Sequence, residues 1–229
     1  MKKPYIKKFS KISKFDVWIV DGKYIRDNID EEFTNYGQHY RFDFIPENEF
    51  WIDKERVEGE EKYFIDSMLI TNRLMAQGVS HKEAVKAADN IEKRERAKDY
   101  LMKKGKTKQG TKEEIVTIHK KLLEEYSKNL KVWLVDGEAV RDLFFLDFTE
   151  GGHGKVYPFI PENEVWIDDD IDKDEIKFVL LHELHERNLM SEGMKYEDAH
   201  KSSSEIEYYC RQHPKELDKK LKEEIEKNK

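Results

Sequence analysis

The chain contains two copies of one sequence, and this internal repeat constrains its fold more than any other feature. Residues 17–92 align without a gap on residues 132–207. The motif VWIVDG returns as VWLVDG, and FIPENEFWID returns as FIPENEVWID. Roughly 29 of roughly 76 aligned positions are identical, which is well above a chance self-match. The repeat predicts two similar domains of about a hundred residues each.

Charged residues that occur in both copies are predicted to serve the fold, because both copies need the same scaffold. Because the two copies align without a gap, each residue of the first copy has one counterpart in the second. The shared pairs include Asp21/Asp136, Arg26/Arg141, Glu47/Glu162, Glu49/Glu164, Asp53/Asp168 and Glu92/Glu207.

Histidines and glutamates that occur only in the second copy are the better candidates for chemistry. The first copy has residues at these positions that cannot bind a metal strongly or transfer a proton at neutral pH. The pairs are His153/Gln38, His182/Ser67, Glu183/Met68, His185/Ile70, Glu186/Thr71 and His200/Val85. Their joint absence from the first copy predicts one functional site in the second copy.

Each copy is predicted to begin with a small antiparallel sheet of about three or four strands. Phe15–Val20 and Leu130–Val135 have strand composition, and each ends at an Asp-Gly pair that is typical of a hairpin. The next segments, YIRDNI and AVRDLFFLDF, are predicted to be the returning strands. A proline before NEFWID and NEVWID suits the start or the edge of a further strand.

Two helices are predicted to follow each sheet, which gives an α+β tandem duplication. In the second copy Asp174–Ser191 has apolar residues near helical spacing, and a second helix runs from Lys195 to about Gln212. Gly78 and Gly193 stand where a glycine ends a helix.

The predicted domain order is a unit without the site at 15–100, a linker region at 101–129, the unit with the site at 130–213 and a charged, solvated tail at 214–229. The linker is basic and continues into an amphipathic helix that opens at Thr111. The apolar stripe of that helix is Ile115, Ile118, Leu122 and Tyr126. The two units are expected to pair as an intramolecular pseudo-dimer.

Composition narrows the class of protein. Charged residues make up 40% of the chain, but 12% aromatic residues can still build a core. A Lys/Glu-rich chain with a single cysteine is typical of a thermophile's cytoplasm and excludes an intramolecular disulfide. The net charge of −7 argues against a nucleic-acid binder. No apolar run is long enough for a membrane helix or a signal peptide, so a cytoplasmic location is expected.

Helical spacing can bring several of the second-copy residues to one point. His182 shares a helix face with Glu186, four residues on, and neighbours His185, three residues on. His200 lies on the next helix, and Glu207 follows it by two turns. His182, Glu186 and His200 are therefore predicted to bind a metal and to leave a fourth position for water, as in catalytic zinc sites. Either His185 or Glu207 can replace one member of this set.

Two further residues are predicted to be catalytic. Glu183 follows the first ligand directly and is free to take a proton from a water on the metal. His153 lies in a glycine-rich segment, Gly151-Gly152-His153-Gly154, that lets the backbone approach a neighbour closely. His153 is predicted to stabilise an oxyanion or to act as a further ligand, and the alternative is an exposed histidine in a turn.

The motif His182-Glu183-Leu184-His185-Glu186 resembles the zincin metallopeptidases, which carry His-Glu-x-x-His on a helix and a third ligand on a following helix. The resemblance covers about thirty residues, and Glu186 stands where the family has its second histidine. It implies a metal-dependent hydrolase, most similar to a peptidase, with Glu183 as the base and zinc as the metal. The carboxylate ligand makes iron and manganese alternatives.

Two other functions remain open from the sequence. The same His/Glu cluster suits a phosphoesterase or nuclease, in which phosphate would meet basic residues of the linker. Those residues are Lys103, Lys104, Lys106 and Lys108. The other alternative is a binding or structural protein, whose cluster holds a structural metal or none.

Overall fold

The chain folds as two compact units. The structure, a computed structural model, describes residues 4–104 and 117–227, with backbone alone at 101–104. The first unit comprises residues 4–25 and 33–104, and the second comprises 26–32 and 117–227. Residues 26–32 belong to the first copy by sequence but pack within the second unit. The predicted α+β tandem arrangement is confirmed.

The two units repeat one order of elements. In the first half of the chain these are β1 (Tyr5–Ile12), β2 (Phe15–Val20), α1 (Gly22–Asn28), β3 (Tyr36–Gln38), β4 (Glu49–Asp53), α2 (Glu61–Ala76) and α3 (His81–Lys104). In the second they are β5 (His119–Leu122), β6 (Lys131–Val135), α4 (Gly137–Leu143), β7 (Gly151–His153), β8 (Glu164–Asp168), α5 (Ile176–Ser191), α6 (Tyr196–Gln212), a 3-10 turn (Pro214–Glu216) and α7 (Leu217–Lys227).

Each sheet has four strands and mixed pairing. The orders are β1-β2-β4-β3 and β5-β6-β8-β7. The two central strands of each sheet run parallel, and the outer strands flank them antiparallel. Trp18 lies opposite Trp51, and Trp133 lies opposite Trp166, so the register is the same in both units. The sequence patterns predict wholly antiparallel sheets, and this prediction is wrong for the central pair of each sheet.

The Asp-Gly pairs begin helices, and the predicted returning strands are wrong. Asp136 caps α4, because its side chain accepts a hydrogen bond from the backbone N–H of Ala139 at 3.0 Å. A Cβ on Gly137 would lie 2.0 Å from the Asp168 carboxylate, so only glycine fits there. Parallel neighbours cannot be joined by a tight hairpin, and the helix begins the crossover that they need.

The predicted linker region belongs to the fold where the structure describes it, at 101–104 and 117–129. The helix α3, which buries Arg96 and Tyr100, continues through 101–104. The predicted amphipathic helix is wrong over His119–Leu122, which forms β5 and pairs with β6. His119 stacks on Trp133 with ring centroids 4.3 Å apart, so contacts across the sheet outweigh helical spacing. Residues 105–116, including Thr111, Ile115, Lys106 and Lys108, lie outside the described residues, and so do the side chains of Lys103 and Lys104.

The C-terminal segment is also part of the fold rather than a solvated tail. In α7 one face is buried, with Leu217, Leu221 and Glu224 all less than a tenth exposed. Leu217 and Leu221 join the core between the second sheet and α5. None of the helices within residues 4–104 and 117–227 is long and apolar enough to cross a membrane.

Candidate metal centre

The second-copy histidines and glutamates converge where the edge strand β7 meets α5 and α6. The glycine at 151 permits this approach, since a Cβ there would lie 2.9 Å from Val179 and 3.1 Å from the Glu183 side chain, both on α5. The chain turns from α5 to α6 at Gly193, whose φ of +96° is the left-handed conformation predicted for a helix-ending glycine. His200 is thereby folded back beside α5.

His182, Glu186 and His200 form the centre of the site. His200 Nδ1 lies 2.8 Å from Glu186 Oε2 and 3.2 Å from His182 Nε2. The remaining side of this triangle, from His182 Nε2 to Glu186 Oε2, measures 3.8 Å. The three side chains form a His/Glu grouping that could bind a metal ion. In the described part of the chain no fourth His, Cys, Asp or Glu joins this group.

Glu207 contacts His182 from the side opposite this centre. Its Oε2 accepts a hydrogen bond from His182 Nδ1 at 2.9 Å, while its Oε1 accepts from Arg211 at 2.8 Å. Arg211 also pairs with Glu175. The first unit has the same arrangement, because Arg96 pairs with Glu92 at 2.9 Å and with Glu60 at 2.7 Å. Glu207 is therefore a scaffold residue, as its presence in both copies predicts, and it also orients His182.

His153 is fully buried and lies on the other side of Glu186. Its Nδ1 accepts a hydrogen bond from the backbone N–H of Lys155 at 3.2 Å, so the proton resides on Nε2. That Nε2–H donates to Glu186 Oε1 at 3.0 Å. Burial lowers the pKa of His153 and keeps the ring neutral. His153 is thus placed as a hydrogen-bond donor and not as an exposed turn residue.

Glu183 lies beside His153 and Glu186, and these three form a second close group. Burial raises the pKa of Glu183 to about 8, against the opposing effect of His182. In the metal-free chain Glu183 therefore carries a proton at neutral pH. A divalent cation beside a carboxyl group favours the ionised form, so metal binding would make this side chain available as a base.

The centre favours positive charge. Burial opposes the charge on His182, but hydrogen bonds to Glu186 and Glu207 outweigh it and hold the pKa well above its usual range. A hydrogen bond to Glu186 raises the pKa of His200 to about 9. The pKa of Glu186 is lowered, since hydrogen bonds from His153, His182 and His200 outweigh its burial. Protons thus occupy the place that a metal cation would take.

His185 is not brought into this centre. Its Nδ1 hydrogen-bonds to Glu224 Oε1 at 2.9 Å, and its Nε2 to Ser202 Oγ at 3.0 Å. Glu224 also accepts a hydrogen bond from Asn188 at 2.8 Å. His185 therefore attaches α7 to α5 and α6, and the histidine at the fourth position of the helix motif has a structural role.

Because of these contacts, replacing His185 and replacing His182 are expected to have different effects. The variant His185→Gln is expected to bind metal like the unchanged chain but to lose about 1–3 kcal/mol of unfolding free energy, because the buried Glu224 loses a partner. Urea denaturation and elemental analysis of the same samples measure both quantities. The matched variant His182→Gln should lose metal instead, and metal loss in His185→Gln would return His185 to the ligand set.

In the first unit, the positions equivalent to the candidate metal-binding residues hold other side chains. Gln38, the counterpart of His153, donates a hydrogen bond to the backbone oxygen of Met68 at 3.2 Å. Ser67, Met68 and Thr71 are buried. Among the residues that the structure describes, both groups with metal-binding geometry lie in the second unit.

Three residues that contact the site were not predicted from the sequence. Arg211 carries a detectable signal, since Arg96 occupies the same position in the first copy. Tyr196 stacks on His200 with ring centroids 5.4 Å apart, and an aromatic residue at a helix start gives no signal of this kind. Glu32 lies near His200 in space but is remote from it in sequence, so neither motif nor spacing could identify it.

Comparisons with known protein families, with curated proteins and with solved structures found no match to this chain. The function is therefore inferred from the side chains of the site.

Proposed function

We propose that the second unit is a metal-dependent hydrolase whose ion is held by His182, Glu186 and His200. The observation that carries this proposal is the triangle of donor atoms, with sides of 2.8, 3.2 and 3.8 Å. Donor atoms bound tetrahedrally to one ion at about 2.0–2.1 Å lie about 3.3 Å apart. The spacing of these side chains brackets that value, so the residues fit a metal ion.

The donor types indicate which metals suit the site. Two imidazole nitrogens and one carboxylate oxygen form the composition of catalytic zinc sites that keep a fourth position for water or substrate. The same set accepts iron or manganese, for which a carboxylate is a common ligand. Zinc is the first expectation, because neutral histidines and one carboxylate bind it strongly.

A carboxylate behind a histidine ligand supports the proposal further. Metal-binding histidines usually donate their second ring N–H to a carboxylate or carbonyl, which fixes the ring orientation. Glu207 provides this contact to His182 at 2.9 Å, and Arg211 holds Glu207 in place. His182 Nε2 is consequently directed toward Glu186 and His200.

The remaining two residues have complementary roles in hydrolysis. A bound divalent ion would supply Lewis-acid activation of water and of the scissile carbonyl. Glu183 accepts the proton of the attacking water and then delivers it to the leaving group. His153 bears its proton on Nε2 and can donate a hydrogen bond to the substrate oxygen that gains negative charge. A peptide bond is the proposed target, on the resemblance to the zincins.

Elemental analysis of protein purified without added metal tests the metal site. We expect about one zinc, iron or manganese ion per chain, and its loss in the variant His182→Ala/His200→Ala. The variant His81→Ala/His213→Ala removes two exposed histidines and should keep the ion. Negligible metal in all three proteins, even after incubation with zinc, iron and manganese salts, would contradict the proposal.

A further inference from the structure

Glu32 lies next to His200 although it belongs to the first copy of the repeat. We infer that Glu32 is a positioning residue that orients His200 toward the metal. This inference rests on the proposed function, and it assigns a task to the copy that lacks the metal-binding residues. It follows from the orientation of the two histidine rings and from the contacts of the segment 26–32.

His182 shows how the site directs a ring. Each imidazole has two nitrogens, and a carboxylate on one of them leaves the other to face the metal. Glu207 accepts a hydrogen bond from His182 Nδ1 at 2.9 Å, so Nε2 of that ring faces Glu186 and His200.

His200 has the reverse arrangement. Its Nδ1 faces Glu186 at 2.8 Å, and its Nε2 faces Glu32 Oε2 at 3.7 Å. The Ser204 hydroxyl, one helical turn further along α6, donates to Glu32 Oε1 at 2.8 Å. The carboxylate is thereby held on the outer nitrogen of His200, and the inner nitrogen is left for the ion.

The segment that carries Glu32 is anchored to α6 at its other end. The side chain of Gln212 donates to the backbone oxygen of Asp27 at 2.8 Å, and Arg211 pairs with the Asp27 carboxylate at 3.0 Å. Arg26 is buried and pairs with Glu175 at 3.1 Å. Arg211 also binds Glu207, so one arginine supports the carboxylate behind His182 and the segment that brings Glu32 to His200.

Within residues 4–104 and 117–227, the first copy has no counterpart of this arrangement. The repeat places Asp147 at the position of Glu32, and Val85 at the position of His200. The first copy therefore contributes a carboxylate that the second copy's own sequence does not place beside His200. This contribution gives a physical reason for a first copy that has lost, or never had, the metal-binding residues.

The affinity for zinc, measured by competition with a chromogenic chelator on the full chain, tests the inference. We expect Glu32→Gln to bind zinc about 10-fold more weakly, the lower end of the effect of removing such a carboxylate. Glu31→Gln makes the same charge change one residue earlier and should bind like the unchanged chain. Glu32→Asp keeps the charge and should restore most of the affinity.

The unfolding midpoint of the metal-free proteins separates positioning from folding. We expect Glu32→Gln to leave that midpoint unchanged, because Glu32 is half exposed and acts on the ring of His200. Equal zinc affinities for Glu32→Gln and Glu31→Gln would overturn the inference, as would weaker binding that simply follows a lowered midpoint. An unchanged chain that binds no zinc, iron or manganese would instead defeat the proposed function itself.

Discussion

Replacing Glu183 by glutamine is expected to reduce hydrolysis by about 10²–10⁴-fold, the usual contribution of a general base. The amide keeps the shape of the side chain but cannot accept a proton from water at neutral pH. Glu183 is not in the group His182, Glu186 and His200, so the metal content should stay the same. The variant therefore separates catalysis from metal binding.

Cleavage of a pool of internally quenched peptides by the zinc-loaded chain measures this effect. Glu205→Gln, an exposed change on α6, is the matched control and should keep full activity. A phosphodiester such as bis-p-nitrophenyl phosphate, assayed in parallel, distinguishes a phosphoesterase from a peptidase. Full peptide cleavage by Glu183→Gln would remove Glu183 from the mechanism, and no cleavage of any substrate by the unchanged chain would indicate a structural metal site.

Replacing Glu186 by glutamine is expected to weaken zinc binding by more than about 100-fold. Mutating a residue that only hydrogen-bonds to a metal ligand already lowers metal affinity about 10–100-fold, and Glu186 is proposed as a ligand itself. Glu186 contacts three histidines of the site, His153 at 3.0 Å, His200 at 2.8 Å and His182 at 3.8 Å. It is almost fully buried, so solvent cannot replace its charge.

The same change is expected to alter the pH dependence of the metal-free chain. The pKa of His200 is raised to about 9, first by its hydrogen bond to Glu186. A raised histidine pKa stabilises the folded state below the unfolded pKa, and this stabilisation is lost as pH rises through the folded pKa. Without the Glu186 charge, the stability that the unchanged chain has at pH 6 relative to pH 10 should shrink.

Chelator competition and unfolding at the two pH values measure both effects, and Asp198→Asn, an exposed change on α6, serves as the control. Zinc affinity in Glu186→Gln that equals the control would remove Glu186 from the ligand set. That result would also exclude the second group, of His153, Glu183 and Glu186, as a metal site, because Glu186 belongs to both groups.

The repeat identifies the candidate metal-binding residues from the sequence alone. Residues that differ between the copies gave His153, His182, Glu183, Glu186 and His200, and the structure brings these five together. Strands with strong apolar patterns were also predictable. In Phe15–Val20 buried residues alternate with half-buried ones at the start of the strand, and Glu164–Asp168 is buried throughout. Helix ends at glycine followed from local backbone preference.

Other features depend on partners that are distant in the sequence. Asp-Gly suits both a hairpin and a helix start. Here it starts the helix α4, and the carboxylate of the distant Asp168 packs against Gly137. Leu122 continues the helical spacing of Ile115 and Ile118, yet His119–Leu122 pairs with β6 because that strand has an open edge. His185 is a neighbour of His182 on the helix, but α7 covers its side of α5 and binds it through Glu224.

The amino-acid sequence was therefore sufficient to identify the copy that holds the candidate metal-binding residues, those residues themselves, and the combination of a sheet with helices in each unit. These properties depend on residue identity, on periodicity and on the comparison of one copy with the other. The direction of each side chain and the contacts made by Glu207, Arg211 and Glu32 depend instead on the folded chain. Hydrogen bonds and burial in the folded chain are set by residues that lie far apart along it, and a linear pattern does not record them.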